Sequence, residues 1–153
     1  HAAWQLGEML RARGVAVTGE ASSRYRPLML EDDPEKRNGP APARPRAEKA
    51  LAALEPPPLG EEISIINKRS QNLYAELLLR RLGLARGTGS IADGQAVVEA
   101  MLAEAGVADA QVSLSDGSGM SSYNRVAPRG TVRLLNWIAK QRWAEEFRDS
   151  LPV

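Results

Sequence analysis

The tripeptide Ser70-Gln71-Asn72 sets a hydroxyl and a carboxamide two residues apart between two apolar segments, where a plain connector would serve. At the start of a helix such side chains stand beside free backbone N–H groups and partial positive charge, a setting that receives a negative or polar ligand group. The same residues also suit a local task, with Ser70 as an N-cap and Asn72 as a helix-start residue. The spacing alone is common, since Ser122-Tyr123-Asn124 repeats it. A second string, Asp116-Gly117-Ser118-Gly119, is a strong turn signal whose aspartate bonds backbone donors. Other chemistries are closed. Cysteine is absent, which excludes a thiol nucleophile, a disulfide and a cysteine-ligated zinc site. The single histidine is residue 1, a poor place for the imidazole of a Ser-His-Asp triad, and multi-histidine metal sites are excluded with it. It reads as the remnant of a tag or cut site.

The elements that would position these strings are mostly helical. Trp4, Leu6, Met9 and Leu10 recur at helical spacing and Gly14 closes that pattern; Val15-Ala16-Val17-Thr18 then reads as a short buried strand. Residues 22–48 form a Pro-rich, charged insertion loop, with Pro40-Ala41-Pro42-Ala43-Arg44-Pro45 as an extended piece and mixed charges that argue for solvation. Residues 49–54 fit strand or helix, because the alanines leave the period ambiguous. A helix is predicted over residues 59–68, with Pro58 near its start, Glu61 and Glu62 in its first turn, and Leu59, Ile63 and Ile66 as its stripe. The polar break follows. Next comes a helix over residues 73–82, burying Leu73, Tyr74, Leu77, Leu78 and Leu82 and capped by Gly83. Ser90 and Asp93 resemble a capping box with Asp for Glu, opening a helix that buries Val97, Val98, Met101 and Leu102 and ends at Gly106. Val112 and Leu114 flank a short strand. Pro128 opens a helix with Val132, Leu134, Leu135 and Ile138 inside, and Trp143 and Phe147 continue the pattern. The tryptophans read as core or interface, and Arg80, Arg81 and Arg133 as solvated helix faces that could bind anions.

Composition bounds the rest. Among 153 residues, 43% are hydrophobic and 25% charged, so a disordered chain is excluded. Lys plus Arg is 20 and Asp plus Glu is 19, a balance that disfavours a dedicated nucleic-acid binder. No apolar run approaches the roughly 20 residues of a membrane span. No signal peptide is evident, but the chain opens inside a helical pattern and is expected to be a fragment.

Two longer strings, in order, carry a family resemblance. The first is Asn67-Lys68-Arg69-Ser70-Gln71-Asn72-Leu73-Tyr74-Ala75-Glu76; the second is Asp116-Gly117-Ser118-Gly119-Met120-Ser121 followed by Asn124-Arg125. They resemble N-K-x-S-x-N-x-x-A-E and D-G-S-G-L-S-R-x-N-R of the D-alanyl-D-alanine carboxypeptidase/endopeptidase family, the class C low-molecular-mass penicillin-binding proteins (peptidase family S13). The resemblance spans nearly the whole chain and is weakest over residues 22–54. It implies a mixed α/β, mostly helical fragment of the serine DD-peptidase, β-lactamase-like penicillin-binding fold, with few short strands. It also implies a periplasmic or cell-surface serine hydrolase acting on peptidoglycan stem peptides and acylated by β-lactam antibiotics, with no cofactor and no metal. In such enzymes Ser-x-x-Lys, Ser-x-Asn and Lys-Thr-Gly share the work. The resemblance assigns proton relay to Ser70, substrate-amide and lysine positioning to Asn72, and an acyl-pocket contact to Met120. Ser122 stands where the family commonly has arginine.

The chain lacks Ser-x-x-Lys, since Ser64-Ile65-Ile66-Asn67-Lys68 is one residue too long, and it lacks Lys-Thr-Gly, since Arg129-Gly130-Thr131 has the wrong order. The expectation is the middle part of a catalytic domain, with the missing segments of that domain as its partners and no activity alone. The rival readings are a non-catalytic relative that binds peptidoglycan peptides or acts as a scaffold, and a plain helical interaction domain.

Overall fold

Apolar residues at helical spacing, bounded by prolines and glycines, give six α-helices and a single two-stranded sheet among the described residues. A computed structural model describes residues 1–22, 27, 29–40, 53 and 55–152. The helices are α1 (Ala2–Arg11), α2 (Leu59–Arg69), α3 (Asn72–Arg86), α4 (Ile91–Glu104), α5 (Pro128–Ile138) and α6 (Ala144–Ser150). Strands β1 (Val112–Ser113) and β2 (Arg125–Val126) pair antiparallel, Val112 opposite Val126 and Ser113 opposite Arg125. The mixed, mostly helical character expected from the periodicity is therefore present. None of the described helices is long and apolar enough to cross a membrane.

Gly14 and Gly106 end α1 and α4 in the left-handed region, with φ of 77° and 75°. Several expectations fail. Residues 15–18 form no strand: Val15 is exposed, and its N–H bonds the Leu10 carbonyl as part of the helix end. Gly83 does not end α3, which runs on to Arg86. It is buried inside the helix because α3 and α4 touch there; a Cβ on Gly83 would come within 2.7 Å of the Gly94 nitrogen, and one on Gly94 would collide with the Leu79 carbonyl. The face expected to be buried on α3 is largely open, with Leu73 63% and Leu77 51% exposed, while Leu79 is buried at 6%. The α5 face divides in the same way: Ile138 is buried, Leu134 half-buried, and Val132 and Leu135 exposed. Trp4 is exposed, and Trp137 and Trp143 meet edge to face at 6.1 Å.

The small core gathers Leu79, Leu102, Val107 and Ile138. α3 lies along α4, and α2 packs on α6, where the Asn67 amide donates to Ser150 Oγ at 2.8 Å and Ser150 donates to the Phe147 carbonyl at 2.6 Å. Within the insertion loop, Leu30–Asp32 form a short 3-10 turn (η1), and Asp32 is buried. Its neighbour Arg37 donates from Nη2 to Asp93 Oδ1 at 2.8 Å, at the start of α4. Asp32 and Arg37 are docked, which corrects the reading of the loop's charges as solvated at these two residues; Glu31, Glu35 and Lys36 are exposed as expected. The polyproline string beyond Pro40 and residues 49–52 and 54 lie outside the described residues.

Candidate functional site

Ser70 terminates α2. Its φ of 53° and ψ of 54° put it in the left-handed region, the only non-glycine residue with positive φ among those described. The Gln71 N–H reaches back to the Ile66 carbonyl, so Ser70 occupies the place that glycine usually takes at such a helix end. An L-residue there costs about 1–2 kcal/mol. The N-cap role expected for Ser70 is thus corrected: α3 begins at Asn72 with Gln71 before it, and Ser70 belongs to the end of the preceding helix. Its side chain is exposed, as is that of Asn72.

The two sequence strings meet in space. A cleft of about 280 Å³ is lined by Ile66, Asn67, Ser70, Gln71, Asn72, Ala75, Gly117 and Ser118. One wall is the α2–α3 junction. The other is the loop between β1 and β2, which carries Asp116-Gly117-Ser118-Gly119.

That loop is tied internally. Asp116 accepts the Gly119 N–H on Oδ1 and the Ser121 N–H on Oδ2, both at 2.7 Å. The Asn124 amide donates to Asp116 Oδ1 at 2.9 Å, while its oxygen accepts the Ser115 N–H at 2.7 Å. The Asn124 bond first, then those from the backbone, hold the Asp116 carboxyl below the usual carboxylate range against a smaller opposing effect of burial. Asn124 of the repeated Ser-x-Asn spacing is thereby engaged within its own loop, unlike Asn72. Gln95 on α4 donates to the Leu114 carbonyl at 2.8 Å and braces the loop from below.

Met120 sits on the same loop but is 73% exposed and is not among the residues lining the cleft. Ser70 and Asn72 share one wall; Met120 stands apart. Arg133 is occupied at the end of α4, donating to the Gly106 carbonyl at 2.9 Å. Glu76 had no role assigned from the sequence, yet its Oε1 accepts the N–H groups of Gly117 at 3.1 Å and Ser118 at 3.2 Å. The available signal was its spacing: four residues after Asn72, it shares that residue's helix face.

The family model described as the D-Ala-D-Ala carboxypeptidase 3 (S13) family matches residues 40–153. The chain is 31% identical over 147 residues to a D-alanyl-D-alanine carboxypeptidase of Actinomadura sp. (strain R39), which covers 95% of this chain and 24% of that protein. It is 28% identical over 114 residues to the D-alanyl-D-alanine carboxypeptidase DacB of Haemophilus influenzae, covering 73% of this chain and 24% of that one. The chain spans about a quarter of the length of the curated relatives it matches.

Proposed function

Because this chain belongs to the D-Ala-D-Ala carboxypeptidase 3 (S13) family, we propose that it forms part of the active site of a serine D-Ala-D-Ala carboxypeptidase or endopeptidase of the penicillin-binding fold. The observation that carries the reading is the shared cleft, in which Ser70 and Asn72 face Gly117 and Ser118 from a different element. The substrates are peptidoglycan stem peptides, and β-lactams acylate the same enzyme outside the cytoplasm. The attacking serine and its lysine come from outside these 153 residues, which contain no Ser-x-x-Lys. Other segments of the same domain cover the exposed apolar face of α3.

In this mechanism the serine oxygen attacks the carbonyl of the penultimate D-Ala, and the C–N bond breaks to leave an acyl-enzyme. The departing amine takes its proton through the Ser70 hydroxyl. Asn72 holds the substrate amide and orders the lysine, and Met120, on the same loop but outside the cleft, meets the acyl group only where it extends beyond the cleft. Water then releases the acyl group and restores the serine.

The test is labelling by fluorescent penicillin, with D-Ala release, in the protein carrying its native flanking sequence. Ser70→Ala should slow acylation by about 10²–10⁴-fold, the range for lost general acid–base help. Ser70→Gly should slow it equally while relieving the left-handed backbone, so it should melt above Ser70→Ala. Normal acylation by either variant removes Ser70 from proton transfer. The isolated chain should not be labelled at all; covalent penicillin on it would place the nucleophile elsewhere than proposed.

A further inference from the structure

Glu76 joins the two walls of the cleft. Its Oε1 receives the consecutive N–H groups of Gly117 and Ser118, the arrangement by which a backbone turn holds an anion. The turn is drawn close against α3: a Cβ on Gly117 would stand 2.6 Å from the Ala75 carbonyl oxygen and 3.0 Å from Leu79 Cβ. Asp116 and Asn124 tie the loop internally, so it moves as a unit, and Gln95 of α4 anchors its start at the Leu114 carbonyl. Asn72 begins the helix that carries Glu76, and Ser70 stands two residues before it at the end of α2. Between α3 and the Gly117–Ser118 turn itself, the direct ties are this one carboxylate and the close approach that the missing side chain of one glycine allows.

We propose that Glu76 is a positioning residue, which sets the width of the cleft and so the placement of the bound peptide without touching it. The proposal rests on the cleft being the DD-peptidase site. Deleting the acceptor frees the turn to drift, and a misplacement of about 1 Å costs on the order of 10²-fold in rate.

The experiment uses the protein with its native flanking sequence and compares Glu76→Ala, Glu76→Gln and Gly117→Ala with wild type. Fluorescent penicillin gives both the rate of acylation and the fraction of sites labelled at the end point. Glu76→Ala should label to full stoichiometry about ten- to hundredfold more slowly, and Glu76→Gln, which keeps an oxygen acceptor, should stay within about threefold of wild type. Gly117→Ala, with Glu76 intact but the turn pushed off α3, should reproduce the slow rate, and it serves as the test if Glu76→Ala does not fold. A wild-type rate in a reduced fraction of sites would make Glu76 merely structural and overturn the proposal. So would wild-type behaviour of Glu76→Ala, or a Glu76→Gln as slow as Glu76→Ala. Absence of labelling in wild type would instead overturn the assignment of the cleft, and this inference with it.

Discussion

Asp93 is 3% exposed and takes its partners from three places in the chain. Thr88 donates from its N–H at 2.6 Å and its hydroxyl at 2.7 Å, Ser90 from its hydroxyl at 3.2 Å, and Arg37 from Nη2 at 2.8 Å. Burial alone would push this carboxyl up; the bonds from Arg37, Thr88 and Ser90 outweigh it and hold it below the usual range. A carboxyl lowered on folding contributes stability that is complete above its unfolded value, near 3.9, and is lost as pH falls through the lower folded value. Below about pH 4 the melting temperature of wild type should therefore fall more steeply than that of Asp93→Asn; parallel profiles would show that the charge adds nothing. The sequence disclosed only half of this group. Ser90 and Asp93 have capping-box spacing, and Ser90 Oγ does accept the Asp93 N–H at 3.0 Å, but the Ser90 N–H goes to Thr88 and the carboxylate turns to Thr88 and Arg37. Arg37 is remote in sequence and carries no local signal. Glu76 has a local signal in its spacing from Asn72, but its partners lie 41 and 42 residues away and were not legible.

At the scale of elements, helix existence was legible because it rests on local periodicity and end signals: Pro58 and Pro128 stand at the starts of α2 and α5, and Ser90 and Gly106 bound α4, whereas the break at residues 139–143 that separates α5 from α6 carried no such mark. The far end of α3 was not legible. Gly83 has the chemistry of a stop, but contact with Gly94 makes the absence of a side chain there a packing requirement. Gly94→Ala should then destabilise the protein by about 1–3 kcal/mol, although alanine favours an isolated helix over glycine by about 1 kcal/mol. Thermal denaturation checks this, and a raised melting temperature would mean that α3 and α4 separate at no cost. The strand expected at residues 15–18 failed for a related reason: an apolar run reports that burial is wanted, whereas a strand needs a partner edge. The Ser70 helix end was likewise concealed, because a residue type does not announce a left-handed backbone.

Over the whole molecule, the sequence pattern identified the apolar faces of α1, α3 and α5 but not what covers them. Trp4, Leu73 and Val132 each stay more than half exposed here. The meeting of the Ser70 string with Gly117 and Ser118 was not legible: α3, α4 and β1 separate them in the chain, and the resemblance brought only Met120 of the second string to the site. The link between Arg37 and Asp93 has a further consequence for the order in which the chain assembles. These residues are 56 positions apart, whereas α3 and α4 are joined by the short turn at residues 87–89. Closing the longer loop costs more chain entropy, so the α3–α4 hairpin forms first and the η1 segment docks afterwards onto a surface already made. Contacts made after the rate-limiting step act on unfolding rather than folding. Arg37→Ala should thus speed unfolding severalfold in stopped-flow denaturant jumps and leave the refolding rate nearly unchanged; slowed refolding with unaltered unfolding would place this ion pair in the folding nucleus.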